Sequence, residues 1–242
     1  MGLDPRMLEN CVERSEATAM RNTFLGAILF FITLLPESTL AEAVDVDGGL
    51  TITISALPGF CNERARDVLD SMQRLSPKSK VLALSLPCDE MAEIKAGKRG
   101  LGRYIVWFVE AANGVAFRIP PQYTRSEYAK GLAQASTKVD LAEMAAEANK
   151  NTQAQTGASV SINNYGLIER DQDAVYFVST ENVKDADGST RVMVGVQGMA
   201  AIHHLSFSIT AYDQFKGKET FTSLLDEVKA LMKTALDDNV EK

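Results

Sequence analysis

The stretch FTSLLDEVKALMKTAL, residues 221–236, decides the fold. Its apolar side chains recur at the three- and four-residue spacing of a helix, over about four turns. Such a wide apolar stripe has to be buried, so we expect the helix to follow Gly217 and to lie across the face of a sheet. The stripe consists of Phe221, Leu224, Leu225, Val228, Leu231, Met232, Ala235 and Leu236.

The strands for that sheet come directly before the helix. Residues 159–169, 175–180 (VYFVST), 191–196 (RVMVGV) and 200–211 (AAIHHLSFSITA) are rich in the residue types that favour strands. The connections between them, including a turn predicted at 184–188, are too short for the crossovers that parallel strands require. The sequence therefore predicts an α+β fold, with a largely antiparallel sheet packed against helices.

The first half of the chain adds further strands to this prediction. The run YIVWFVE at 104–110 is the strongest strand in the chain, and its Trp107 is expected in the core. An Asn-Gly pair at 113–114 favours a hairpin that returns along residues 115–119. Shorter strands are predicted at 50–54 and 80–86, and residues 44–49 read as a polar lead.

Four helical stretches are expected between the N-terminal strands and residue 149. The first covers 63–75 with Asn62 as its N-cap, and one or two turns follow at 89–95. Thr124 and Glu127 have the spacing of a capping box, so a helix begins there and breaks near 136–137. A second helical stretch at 139–149 and a polar loop at 149–157 complete this region.

The N-terminal residues read as a secretory signal. The apolar run FLGAILFFITLL at 24–35 is too short to span a bilayer, but it fits a signal-peptide core preceded by Arg21. The small-x-small pattern at 41–43 predicts cleavage after Ala43. The mature domain is then expected in the periplasm or outside the cell. Residues 1–43 are then a signal peptide, and 44–242 a single exported domain. An uncleaved signal anchor, which would tether the domain to the membrane, is the alternative.

The residues before the apolar run are acidic, whereas a signal peptide normally starts with a basic segment. We therefore expect translation to begin at Met20, with residues 1–19 not translated. Cleavage after Ala43 removes three basic and six acidic residues of the full chain, which leaves 22 basic and 26 acidic residues and a net charge of -4. This acidic balance argues against a nucleic-acid partner held by phosphate contacts.

Cys61 and Cys88 form an even pair in the exported region, since Cys11 lies before the cleavage site. An oxidising compartment favours a disulfide between them. Two buried free thiols, or one reactive thiolate, are the competing interpretations.

A basic, glycine-rich turn precedes the strongest strand. Backbone N–H groups and the side chains of Lys98, Arg99 and Arg103 could bind an anion there, such as a phosphorylated envelope polymer. The turn lacks the Gly-Lys-Ser/Thr pattern of a nucleotide-binding loop, so a solvated turn is the simpler interpretation.

Other polar groups give no coherent site. The adjacent His203 and His204 fall on a predicted strand, where their side chains point to opposite faces and cannot share a metal ion. Asp-x-Asp-Gly segments at 45–48 and 185–188 lack the spacing of a calcium loop and predict turns. Glu169, Asp171 and Asp173 are expected at a hairpin tip.

No Gly-x-Ser-x-Gly element marks a serine hydrolase. The sequence therefore predicts no catalytic, cofactor-binding or metal-binding residues. The alternative is an envelope hydrolase that uses the acidic residues near Glu169, or a free Cys61.

The runs VYFVST, RVMVGVQGM and HHLSFSITA, followed by the helix from Phe221, resemble the Mog1/PsbP-like fold of small exported α/β proteins. The resemblance covers about residues 159–238, whereas the first half fits less well. It implies binding or assembly rather than catalysis. We therefore expect a non-catalytic role with a protein or envelope component as partner, and with the membrane only if the signal is uncleaved.

Overall fold

A computed structural model describes the chain from Ala41 to Val240, apart from a few short gaps. The gaps are residues 56, 64–65, 77, 97, 99, 113, 139, 141, 144, 147–148, 151–159 and 185–188. The predictions for the signal segment, the loop at 149–157 and the turn at 185–188 lie largely or wholly outside the described residues, as does much of the helical stretch at 139–149.

The described residues form ten strands and four helices. The strands are β1 (Glu42–Asp47), β2 (Leu50–Ile54), β3 (Phe60–Glu63), β4 (Ser79–Pro87), β5 (Tyr104–Ala112), β6 (Val115–Ala116), β7 (Val160–Arg170), β8 (Ala174–Lys184), β9 (Thr190–Ile202) and β10 (Leu205–Gln214). The helices are α1 (Arg66–Leu75), α2 (Met91–Lys95), α3 (Arg125–Ser136) and α4 (Lys218–Asp238).

One large sheet organises the fold. Its strand order is β3-β4-β5-β10-β9-β8-β7, with β6 paired to β5, and every pair is antiparallel. The strands β7 to β10 form a meander, and β10 then pairs with β5 from the first half of the chain. The predicted α+β class is confirmed, with α4 as the long C-terminal helix.

Helix α4 covers one face of this sheet. Its predicted apolar stripe supplies Leu224, Val228, Leu231, Met232 and Ala235 to the main core. They meet alternate side chains of the central strands, because successive strand residues point to opposite faces. Among those facing α4 are Ile105, Trp107, Val196, Phe207 and Ile209.

The opposite face is covered by the other helices. Helices α1 and α2 pack over β4 and β5 in a second cluster, which includes Leu84, Ile94 and Val106. Helix α3 contacts β7, β8 and β9, and the Tyr128 hydroxyl donates to Ser206 Oγ at 2.6 Å. The sheet is therefore the middle layer between α4 and the three shorter helices.

The polar lead predicted at 44–49 is instead a strand, so that prediction was wrong. Strand β1 pairs with β2, and Val46 is fully buried in the main core with Ile52 and Ile54. Lys80 Nζ also donates to the carbonyl of Val46. The Asp-x-Asp-Gly segment ends β1 in a turn, as predicted, and Gly48 and Gly49 there have positive φ.

Most other element predictions in the first half are confirmed, with a second error at the first helix. Thr124 and Glu127 form a complete capping box, and α3 ends at Ser136 as expected. Asn62 is not a helix N-cap, because it lies in the edge strand β3 and its Oδ1 accepts from Ser85 Oγ at 2.6 Å. Helix α1 starts three residues later than predicted, at Arg66.

A stacked pair of tyrosines leaves no space for a side chain at Gly195 in β9. A Cβ at Gly195 would lie 2.7 Å from Tyr212 Cε1 and 3.1 Å from Ser179 Oγ. The Tyr212 ring cannot retreat easily, since its centroid is stacked 4.7 Å from that of Tyr104. We expect Gly195→Ala to lower the free energy of unfolding by about 1–3 kcal/mol, measured by urea unfolding.

A matched glycine should respond in the opposite direction. Gly131 lies inside α3, and nothing comes within 4 Å of a Cβ added there. Gly131→Ala should therefore stabilise by about 0.5–1 kcal/mol, since alanine is the better helix former. If both variants gained stability, the tyrosine stack would have to be able to shift away from β9.

Candidate functional site

The hairpin that joins β9 to β10 has an unusual backbone. Its two turn residues, His203 and His204, have φ of 49° and 57°. The flanking residues Ile202 and Leu205 pair directly, so the loop has two residues. Positive φ at both positions is the geometry of turns that normally use Asn-Gly.

The predicted continuous strand over 200–211 was therefore wrong at its middle. His203 and His204 form the turn, and both are half-buried, rather than one buried and one exposed on opposite sheet faces. Histidine enters the left-handed region more readily than most residues, but the conformation still costs free energy. Nothing in the local sequence marks a turn, since neither glycine nor asparagine is present.

An open pocket of about 250 Å³ lies beside this turn. The start of α3, the end of the chain after α4, and the β9–β10 hairpin all contribute to its wall. Ile119 N donates to the carbonyl of His204 at 2.7 Å, which fixes the turn against the segment before α3. The lining residues are Tyr123, Thr124, Arg125, Ala201, His204 and Val240.

The polar groups of the pocket are already used to hold helix ends. The Arg125 guanidinium donates to the carbonyls of Leu236 and Asn239, at 3.5 and 3.0 Å, at the end of α4. Thr124 caps α3, and its hydrogen bonds to Glu127 lower the pKa of that carboxyl. Arg125 and Thr124 therefore already have structural partners at the helix ends.

Exposed apolar side chains surround this end of the domain. Phe117, Tyr123 and Val240 are 54%, 49% and 60% exposed. Tyr123 and Val240 line the pocket, and Phe117 belongs to the segment that runs past the histidine turn. We call these three residues the terminal patch. Large apolar side chains grouped around a pocket commonly mark a binding surface.

The structure does not present Lys98 and Arg103, from the predicted anion-binding turn, as one basic site. Lys98 is exposed, and Arg99 lies outside the described residues. Arg103 pairs with Glu227 of α4, lies 3.8 Å from Asp213, and stacks 5.2 Å over the Phe60 ring. Its guanidinium thus ties β5, β10, β3 and α4 together, and anion binding at Lys98 stays a prediction.

Glu227 is the buried member of that ion pair. Its side chain is only 10% exposed, and burial raises the pKa of its carboxyl while Arg103 lowers it. The Arg103 guanidinium therefore compensates the charge of the Glu227 carboxylate, which α4 would otherwise bury against the sheet without a partner. Its position between four elements points to a structural role.

The acidic residues near Glu169 also have structural partners. They lie at the β7–β8 hairpin tip, where sequence placed them. Asp171 accepts hydrogen bonds from Asp173 N, Ala174 N and the Tyr176 hydroxyl, at 2.9, 2.7 and 2.6 Å. Glu169 pairs with Lys229 of α4. None of these residues lines the pocket.

Cys61 and Cys88 are joined by a disulfide in the structure. The bond connects the edge strand β3 to the end of β4, and Cys88 is exposed to solvent. Near it, Lys95 of α2 pairs with the buried carboxylate of Glu63. With both sulfurs in the bond, neither thiol is a nucleophile.

A buried polar cluster on the face opposite α4 was missed by sequence reasoning. Tyr104 and Tyr212 stack there, and burial raises the pKa of both hydroxyls, with the nearby Glu181 raising them further. Burial likewise raises the pKa of Glu181. The three residues lie in three different strands, so no local motif marks the cluster. Only the period-two alternation within each strand could have predicted that these side chains share a face.

Among the described residues, no three His, Cys, Asp or Glu side chains are grouped so that they could hold a metal ion. Within that same part of the chain, no helix is long and apolar enough to cross a membrane. Comparison of the chain with protein-family models, with curated proteins and with solved structures finds no match.

Proposed function

We propose that the chain is an exported, non-catalytic protein that binds a partner through its terminal patch and the adjacent histidine turn. One observation carries the proposal: two neighbouring residues other than glycine hold positive φ beside an open pocket whose lining includes the exposed side chains of Tyr123 and Val240. Residues in unfavourable backbone conformations cluster at functional sites, where the surrounding structure stabilises them.

Export is the second part of the proposal. The signal pattern at 21–43 and the disulfide between Cys61 and Cys88 both support it, since such bonds persist in oxidising compartments. The resemblance to the Mog1/PsbP-like fold stays a prediction, and the proposed role does not depend on it.

A photo-crosslinker at the terminal patch tests both parts. The chain carries benzoylphenylalanine in place of Tyr123, is expressed in the cell that exports it, and is irradiated before fractionation. We expect an adduct in the envelope or outside fraction. The matched control carries the crosslinker at Phe215, an exposed aromatic residue at the far end of β10. An absence of adducts at Tyr123, or equal yields at both positions, would contradict the proposed binding.

The histidine turn gives a second test, because stability and binding should change in opposite directions. Asn-Gly adopts positive φ more readily than His-His, so His203→Asn combined with His204→Gly should raise the free energy of unfolding by about 1–2 kcal/mol. We expect the crosslinking yield at Tyr123 to fall at the same time, because His204 lines the pocket. Thermal unfolding and adduct yield are measured on the same preparation.

Two outcomes of that experiment bear on the proposal separately. A gain in stability with unchanged crosslinking would remove the histidines from the binding surface and leave their strain without a functional reason. A loss of stability would mean that contacts of the imidazoles outweigh the backbone cost. Only a gain in stability with a loss of binding agrees with the proposal.

A further inference from the structure

The first described strand begins close to one residue of the terminal patch. Strand β1 begins at Glu42, and Ala43 pairs with Thr53 of β2. Thr53 in turn exchanges two hydrogen bonds with the Asn239 side chain, at 2.8 and 3.0 Å. Asn239 precedes Val240 of the terminal patch. The start of β1 therefore lies close to Val240, one residue of the terminal patch.

The connection between the apolar run and the domain is short. Residues 36–41 separate the end of the run at Leu35 from the start of β1. Six residues reach at most about 20 Å when fully extended. While the apolar run is in a membrane, as it is during export, this end of the domain cannot lie further than that from the bilayer.

We infer that the partner of the terminal patch is the surface of the bilayer that holds the apolar run. This inference rests on the proposed function, because it names the partner of the same site. A short tether raises the local concentration of the membrane surface around the patch, so weak apolar contacts are enough for docking.

The chemistry of the terminal patch fits the interface between lipid headgroups and acyl chains. Aromatic side chains are enriched at that level, and the patch presents a phenylalanine and a tyrosine. Arg118, exposed directly beside Phe117, can bind lipid phosphates. The domain from Val44 onward carries a net charge of -4, so docking depends on these local groups rather than on its overall charge.

Docking also bears on the predicted cleavage site. The bond between Ala43 and Val44 lies inside β1, where both residues pair with β2. A strand paired in a hairpin cannot at the same time extend into a protease. A chain that folds and docks before cleavage thus keeps its tether, which favours the signal-anchored alternative for part of the population.

Tryptophan fluorescence of the full chain in vesicles tests the inference. Phe117→Trp places a reporter in the terminal patch, and Phe215→Trp places a matched reporter at the other end of β10, roughly 30 Å away along the strand. Both share the background from buried Trp107. The chain is reconstituted in phosphatidylcholine vesicles with brominated acyl chains. We expect quenching to be at least threefold stronger at position 117.

A second set of variants separates docking from simple tethering. Tyr123→Trp is the reporter, and Phe117→Ser with Val240→Ser removes the other two apolar side chains. All three positions are exposed, so the fold should be kept, and thermal unfolding checks this. We expect the double change to reduce quenching at Tyr123→Trp by about fivefold, while the chain still floats with the vesicles.

The remaining outcomes overturn the inference. Equal quenching at positions 117 and 215 would mean that the tethered domain tumbles freely, and no quenching at either would mean that it stays away from the lipid. A crosslink from Tyr123 to a protein, with no quenching in vesicles, would reject the bilayer and leave the proposed function standing. If Tyr123 also gave no adduct in the exporting cell, the proposed function would fail as well.

Discussion

Replacing both Cys61 and Cys88 with alanine should lower the free energy of unfolding by about 3–4 kcal/mol, because the bond closes a long loop in the unfolded chain. The two cysteines are 27 residues apart, and the loop contains most of β3 and all of α1 and β4. Urea unfolding of the double variant and of the wild type measures the difference. Thermal unfolding should shift in the same direction, by roughly 10 °C for a chain of this size.

The position of the disulfide in the sheet explains why its removal should lower the free energy of unfolding strongly. Strand β3 has four residues, lies at the sheet edge and pairs only with β4. Short edge strands add little stability of their own, so the disulfide is a main constraint on this edge. Other ties to this edge include the stacking of Arg103 on Phe60, the pairing of Lys95 with Glu63, and the hydrogen bond from Ser85 to Asn62.

The reduced wild type is the control for this prediction. It should match the double alanine variant within about 1 kcal/mol, since alanine removes the same covalent bond and little else. A loss below about 1 kcal/mol in both would mean that the reduced chain keeps β3 in place through its noncovalent contacts. Such a result would also weaken the disulfide as support for export, because the fold would be equally suited to a reducing compartment.

The parts of the fold that could be predicted are those set by one periodic segment. The stripe of α4 fixed its position on the sheet, because only one of its sides can face water. Strand β5 and the capping box of α3 follow from equally local patterns. The α+β class follows from the short connections between strands, which exclude parallel pairing.

The errors occur where a tertiary contact overrides a local pattern. Residues 44–49 read as polar, yet β1 forms because every second residue faces the core while its aspartates face water. The sequence around His203 and His204 has strand character throughout, and the turn forms because all ten residues of β10 pair with β9. Arg103 resembled a ligand-binding residue until its distant partner Glu227 was known.

The candidate site also arises from tertiary contacts rather than from a local sequence pattern. Three separate segments of the chain line its pocket: residues 123–125, residues 201–204 and Val240. No spacing within any one segment indicates the others, and the residues are ordinary ones rather than a motif. A surface of this kind becomes visible only when the ends of α3, α4 and the β9–β10 hairpin meet.

The largest single-residue effect is expected at Trp107, which stands at the centre of the main core. Its side chain is 1% exposed, lies 6.3 Å from the Phe207 ring, and donates from Nε1 to Ser85 Oγ at 2.8 Å. Ser85 donates in turn to the half-buried Asn62, so a chain of hydrogen bonds runs from β5 through β4 to β3. Trp107→Ala removes the ring and this donor, and should cost about 3–5 kcal/mol in urea unfolding.

A conservative variant separates the cavity from the lost hydrogen bond. Trp107→Phe keeps most of the apolar volume, so we expect a cost of about 1–2 kcal/mol, chiefly from Ser85 Oγ losing its donor. Ser85→Ala and the double variant complete a cycle whose coupling should be about 0.5–1.5 kcal/mol. A coupling near zero would assign the whole effect to packing.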